Sequence, residues 1–257
     1  METLSKTQID RLGERLRAQV FGEAELRLLD EYRRTFGLAY DRVVANVQRI
    51  LGVPVSGRPA KSTSSIIEKL NRESIRLSQM QDIAGCRAIV ADVFQQDRAV
   101  NVLARELDSV AVQDRRAKPS HGYRAVHLIV REDGKPIEVQ VRTSLQHVWA
   151  EMSEKLADTI DPSIKYGGGP MAVREILDRA ATQARLTEEL EAELEGVRQI
   201  LDKLATQRLT KELEAELARV GADGAAIAEE VRDTREKYVS ALHSIIKDLK
   251  STDLEGL

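Results

Sequence analysis

The chain has 257 residues, of which 42% are hydrophobic, 32% charged and only 4% aromatic, with a formal net charge of -3. That length suits one large domain, or one domain with an appendage, and the apolar share suffices for a core. No run approaches the ~18 apolar residues of a membrane span. Charges stand where a signal peptide would carry its apolar stretch, and the one cysteine, Cys86, excludes an internal disulfide framework or a cysteine-rich zinc site. These features predict a cytoplasmic protein.

In chain order, the first ~52 residues read as helices. Leu12, Leu16 and Val20 recur four apart, and Leu29, Phe36, Val43, Val47 and Ile50 sketch a second, longer stripe. Pro54, Gly57 and Pro59 break it, and a third helix is expected over about Ser62 to Leu77. The period then changes. Cys86–Val90 reads as a strand, Val93–Leu107 as a helix and Val110–Gln113 as a further strand, followed by a polar basic loop, Asp114–Gly122. Ala125–Val130 and Ile137–Val141 read as strands of a hairpin turning at Asp133-Gly134, and Ser144–Leu156 returns to helix. Strands mixed with helices around a hairpin argue for an α/β or α+β core.

Gly167-Gly168-Gly169-Pro170 marks a boundary, beyond which the chain reads as almost wholly helical. The expected organisation is N-terminal helices over 1–52, a catalytic-type core over 53–169 and a helical, partly coiled-coil tail over 170–257. In the tail RLTEELEAELEGV (from Arg185) and RLTKELEAELARV (from Arg208) match at 10 of 13 positions. Leu190, Leu194, Val197, Leu201 and Leu204 form a short heptad seam, Gly221–Gly224 is read as a break, and Ile227, Val231, Tyr238, Leu242, Ile245 and Leu249 line a last helix. A helical hairpin folded back on the core is favoured over an arm for self-association or a partner.

The charge is uneven. Residues 170–257 carry 13 Lys+Arg against 19 Asp+Glu, leaving +3 for residues 1–169. Cations cluster twice there: Arg58, Lys61, Lys69, Arg72 and Arg76, then Arg115, Arg116, Lys118 and Arg124. A mildly acidic chain with two basic clusters suits a pocket for a few phosphates rather than a general DNA binder. Gly57 to Ser62 looks like a P-loop fragment but has Ala60 where the second glycine is needed and Pro59 inside the loop, so that reading is rejected. Lys61, Ser65, Lys69, Arg72 and Arg76 step by four, four, three and four, placing four cations and a hydroxyl on one helical face. By itself such a stripe is more often a solvated face. In the hairpin, Glu138, Gln140 and Arg142 alternate with Ile137, Val139 and Val141. Asp82 and Glu138 on neighbouring strands could hold Mg²⁺ with phosphate oxygens, and one carboxylate could deprotonate an attacking hydroxyl. The loop DRRAKPSHGYRAVH (114–127) places Tyr123 where a base could stack. His121 and His127 have no metal-ligand spacing.

Five segments in order, GRPAKSTSSIIEKL (57–70), QDIAGCRAIV (81–90), KPSHGYRAVHLIV (118–130), IEVQVRTSLQHVWAE (137–151) and KYGGG (165–169), make residues 40–169 resemble the RelA/SpoT family synthetase domain. The resemblance implies a nucleotidyltransferase-like mixed sheet flanked by helices. It also implies transfer of the β,γ-diphosphate of ATP to the 3′-hydroxyl of GDP or GTP, giving (p)ppGpp. Asp82 and Glu138 would hold Mg²⁺, with Glu138 also activating the hydroxyl. Arg58 and Arg87 would flank adenine, and Lys61, Ser65 and Lys69 would hold phosphates. Tyr123 would stack on the acceptor base beside His127, Gln140 and Arg142, with Arg115, Arg116 and Lys118 on the same loop. Two departures stand out: Arg58 lies three rather than two residues before Lys61, and Arg115 replaces a frequent tyrosine. The second, with the extra positive charge, resembles toxic family members that modify the 3′ end of tRNA, for which an antitoxin or self-association through the tail would be partners. A degenerate binding module is a third reading, opposed by the intact Asp82 and Glu138. Without a His-Asp dipeptide, an alarmone hydrolase site is not expected.

Overall fold

The computed structural model describes residues 4–107, 110–206 and 210–252. Helices α1 (Lys6–Arg17), α2 (Glu23–Arg34) and α3 (Gly37–Leu51) lead into strand β1 (Val55–Arg58) and helix α4 (Thr63–Arg72). A 3-10 turn, Leu77–Gln79, precedes β2 (Ala84–Val90), α5 (Val93–Glu106) and β3 (Val110–Asp114). Then come β4 (Val126–Glu132), β5 (Lys135–Thr143), α6 (Ser144–Thr159), a second 3-10 turn (Pro162–Tyr166), and the long helices α7 (Met171–Ala205) and α8 (Lys211–Thr252). The strands form one mixed-order sheet, β1-β2-β5-β4-β3, giving the expected α+β fold with a helical C-terminal region.

The chain forms two compact units. The first takes residues up to Ile89, Arg98–Asp114 and Val126–Val141. Its core includes Leu12, Leu16, Leu29, Phe36, Val43, Val47, Ile66, Leu70, Leu77 and Ile83, all buried. The expected second N-terminal helix is two, because the chain turns at Thr35 and Phe36 although the apolar stripe continues through both. Val20 falls beyond α1 and is exposed. The hairpin turns where expected: Asp133 (φ 48°) and Gly134 (φ 72°) are both left-handed, as a type I′ turn requires. Arg42 of α3 pairs with Asp133 at 2.6 Å and Glu132 at 3.3 Å, holding the hairpin tip.

β1 occupies a stretch that reads as a breaker. It pairs antiparallel with β2, Gly57 opposite Cys86. A Cβ on Gly57 would lie 2.5 Å from the Gly85 carbonyl oxygen and 2.6 Å from the Cys86 Cα, so the glycine here marks close backbone approach rather than a turn. The third helix also ends early, at Arg72. Glu73 is extended (φ -110°, ψ 138°), so Arg76 lies off the helix and the five-residue basic stripe is not one helical face.

The second unit takes Val90–Asp97, Arg115–Ala125 and the chain from Arg142 onward. Its core is built on α6: Val148, Trp149, Met152 and Leu156 pack with Ile164, Leu177, Leu242 and Ile246. Both α7 and α8 pack on α6 and on each other, the hairpin arrangement favoured above. The Tyr238 hydroxyl donates to the Ala180 carbonyl at 3.0 Å, and Arg235 pairs with Glu191 at 2.5 Å. α8 runs straight through Gly221 and Gly224, where a break was expected. Each glycine costs a helix about 1 kcal/mol against alanine, too little to stop one with 10 residues before Gly221 and 28 after Gly224. The second copy of the repeat opens at Arg208, outside the described residues.

Candidate functional site

In the first unit, two lysines converge on one acid. Asp82, two residues before β2, accepts from Lys61 Nζ at 2.7 Å and from Lys69 Nζ at 2.9 Å. Lys61 is held by its own N–H bonded to the Ile83 carbonyl (2.6 Å), and Lys69 projects from α4. Burial alone would raise the Asp82 carboxyl, but the two ammonium groups hold it down at about 2. Of the other cations of the stripe, Arg72 pairs with Glu73 at 3.0 Å and Arg76 lies 3.9 Å from Asp10. The structure therefore gathers two of the four cations, not the set. Ser65 sits in the first turn of α4, where Ser62 caps the helix by accepting its N–H (3.2 Å) and donates to its hydroxyl at 2.8 Å.

Glu138 lies on β5 with its side chain on the half-exposed face, while Ile137, Val139 and Val141 point into the core. The register places His127 opposite Gln140 and Ile129 opposite Glu138. His127 Nδ1 comes within 2.8 Å of one Glu138 oxygen, and Gln140 Nε2 donates to the other at 2.7 Å. Burial pushes the Glu138 carboxyl up. The hydrogen bond and charge of His127 and the Gln140 bond outweigh it and leave the group more acidic than usual, against the opposing charge of Asp82. Gly85 lets β5 approach: a Cβ there would meet the Glu138 carbonyl oxygen at 3.0 Å. Arg58 (exposed) and Arg87 (half-buried) flank this region on β1 and β2, and neither guanidinium has a partner among the described residues.

Asp82 and Glu138 are thus two ionised carboxylates close enough to feel each other's charge. Mg²⁺ is held by one or two carboxylates together with substrate phosphates and water, and this donor pair fits that pattern. Among the described residues no group of three or more His, Cys, Asp or Glu is arranged to hold a metal ion by itself.

The second unit holds the remaining predicted residues. Arg142, 3% exposed, donates to the Tyr123 hydroxyl at 3.0 Å, and its guanidinium lies 5.0 Å from the Tyr123 ring centre. Arg115 and Lys118 are exposed on the loop, whereas Arg116 pairs with Asp97 at 2.7 Å and Gln96 at 3.2 Å. The loop turns through His121 (φ 50°) and Gly122 (φ 85°). A Cβ on Gly122 would strike the Trp149 ring at 2.7 Å, and one on Gly167 would strike the His121 ring at 2.2 Å, so the HGY and YGGG glycines permit contact, not flexibility.

Sequence reasoning missed a carboxylate altogether. Glu188 of α7 is 1% exposed and accepts from Arg124 (2.5 Å), Thr143 (2.5 Å) and Gln146 (3.0 Å). The one legible signal is its place on the face of Leu177, Ala181 and Ala184, an apolar stripe stepping by four, three and four.

Residues 57–157 match the model of a region found in RelA / SpoT proteins. An uncharacterized protein of Mycobacterium tuberculosis is 40% identical over 116 residues, 43% of this chain and 42% of that protein. A GTP pyrophosphokinase of Haemophilus influenzae is 32% identical over 109 residues, 41% of this chain but 14% of that protein. The matches therefore span less than half the length of these curated relatives. Among solved structures, small alarmone synthetase 1 from Bacillus subtilis bound to its product pppGpp superposes with a TM-score of 0.54 at 25% identity, over 66% of this chain and 97% of that one. A second structure of that synthetase gives 0.52 at 27% identity, over 69% and 99%. Residues 57–157, which carry Lys61, Asp82, Tyr123 and Glu138, match a region found in RelA / SpoT proteins, and the chain shares its fold with small alarmone synthetase 1.

Proposed function

We propose that the chain is an ATP-dependent diphosphotransferase that moves the β,γ-diphosphate of ATP onto the 3′-hydroxyl of GDP or GTP. The carrying observation is the Lys61–Asp82–Lys69 cluster in one unit with Glu138, His127 and Gln140. The match to a GTP pyrophosphokinase and the likeness to a synthetase holding pppGpp support this reading. Lys61 and Lys69 exchange Asp82 for phosphate oxygens, with Ser65 at the α4 N-terminus beside them. Arg58 and Arg87, whose guanidinium planes are uncommitted, stack against adenine. Glu138, acidic enough to be ionised at neutral pH, takes the proton of the 3′-hydroxyl as its oxygen bonds to the β-phosphorus and AMP departs. His127 and Gln140 hold the Glu138 carboxylate in place. Mg²⁺ on Asp82 and Glu138 would supply neutralisation of the phosphate charge. Such transfer rests on positioning and charge neutralisation rather than a covalent nucleophile. Tyr123 and Arg142 meet the acceptor base.

A tRNA acceptor draws support from the basic loop, but Arg116 and Arg124 are committed to Asp97 and Glu188, leaving Arg115 and Lys118 to meet a polyanion. That favours a small nucleotide. Incubation of the full chain with γ-³²P-ATP and either GDP, GTP or bulk tRNA, then separation of small from large products, decides the matter. Label in a guanine nucleotide is expected. Label confined to tRNA would overturn the proposed acceptor, and none in any arm would overturn the activity.

A further inference from the structure

We propose that Glu188 is a positioning residue for acceptor recognition: from α7 it ties together the two backbone segments that carry Tyr123 and Arg142. The proposal rests on the reading above that these two side chains meet the acceptor. Its geometry is independent of that reading.

Arg124 follows Tyr123 on the loop, and Thr143 follows Arg142 at the end of β5. Glu188 Oε2 accepts from Arg124 at 2.5 Å while Oε1 accepts from Thr143 Oγ1 at 2.5 Å. One carboxylate thus bridges the neighbours of the stacked pair and sets the spacing between Tyr123 and Arg142. Its Oε1 takes a further bond from Gln146, whose amide is locked to Gln96 at 2.8 Å. Thr143 and Gln146 are also the N-cap and N3 residues of α6, so the same bonds fix where that helix begins. Charge-assisted bonds of this kind are strong and directional. A buried ion pair adds little net stability over an apolar filling, so orientation is the better physical account of a charge in this place.

A second contact from α7 acts on the same loop. Ala181 and Trp149 close on Gly122, and Trp149 Nε1 donates to the Leu177 carbonyl at 3.0 Å. Leu177, Ala181 and Glu188 lie along one face of α7, so that face clamps the loop before and after Tyr123. All three lie beyond residue 157, outside the matched RelA/SpoT region. The tail is by this account part of the acceptor side, not an appendage.

The test is Glu188→Gln in the full chain. Three readouts are taken: KM and kcat for GDP, affinity for a non-hydrolysable ATP analogue, and the rate of trypsin cleavage after Arg115, Arg116 or Arg124. The expected result is a rise of about tenfold or more in the acceptor KM, unchanged analogue affinity, and faster loop cleavage. A folded Glu188→Gln with wild-type acceptor KM and loop cleavage would overturn the proposal. So would equal weakening of both substrates, the mark of general loosening. If the wild type uses no guanine nucleotide, the functional reading has failed. The cleavage rate then decides positioning alone: faster in Glu188→Gln supports it, unchanged overturns it. Should Glu188→Gln not fold, Arg124→Ala carries the kinetic and affinity measurements and cleavage after Arg115 or Arg116, since it removes the loop's arm and leaves Glu188 its bonds to Thr143 and Gln146.

Discussion

Each unit holds an acid among donors, and the two acids differ in a way that separates ligand chemistry from architecture. Asp82 is partly open, and its partners are two lysines on flexible stems that any phosphate can compete for. Glu188 is sealed, and its partners are a planar guanidinium, a helix-capping hydroxyl and an amide locked from both sides. The first cluster is built to exchange partners and the second to keep them. Local charge alone does not distinguish them; burial and the stiffness of the donors do.

The sharpest break comes from Glu138→Gln. The change is nearly isosteric, so circular dichroism should be unmoved, while removal of the base should lower the transfer rate by about 10²–10⁴-fold. A folded variant with wild-type kcat would take Glu138 out of the chemistry. Next, Glu188→Ala should cost about 3–5 kcal/mol in denaturant unfolding, because it strands a buried guanidinium. A loss below about 1 kcal/mol would place the two clusters in the same class.

Asp82→Asn should cost less, about 2 kcal/mol, and its cost should depend on pH. The folded carboxyl is held at about 2 against an ordinary 3.8, so its stabilisation is complete above about pH 4 and lost as pH falls through 2. The stability gap between wild type and Asp82→Asn should therefore close across that window. A gap constant from pH 7 to pH 2 would refute the ion-pair account. Calorimetry should also show Mg²⁺-dependent ATP binding reduced in this variant. The smallest effect is expected of Tyr123→Ala, about 1–3 kcal/mol in acceptor affinity from lost stacking, with ATP-analogue affinity unmoved. Equal losses for both would make Tyr123 a packing residue.

The sequence showed what is periodic or local and hid what depends on distant contacts. The Asp133-Gly134 turn and the alternation from Ile137 to Val141 were legible because each is written in adjacent residues. β1 was not, because Gly57 and Pro59 carry the same composition whether they break a chain or let two strands touch. The basic stripe was over-read: periodicity continues to Arg76, but the backbone leaves the helix after Arg72. Lys61 and Lys69 could be paired with phosphates by resemblance, yet their meeting at Asp82 spans up to 21 residues and needed the fold. Glu188 was least legible, since its partners lie 42 to 64 residues away and only its seat on an apolar face hinted at them.

That separation has a consequence for how the molecule is made. Arg124 leaves the ribosome 64 residues ahead of Glu188, a delay of roughly 3–13 s at ~5–20 residues per second. The first unit has all its segments once Val141 has emerged, whereas the loop and the end of β5 must wait for α7. A nascent chain thus carries Lys61, Asp82 and Glu138 for several seconds before Glu188 can close on the loop of Tyr123, and the order of synthesis puts that bridge last.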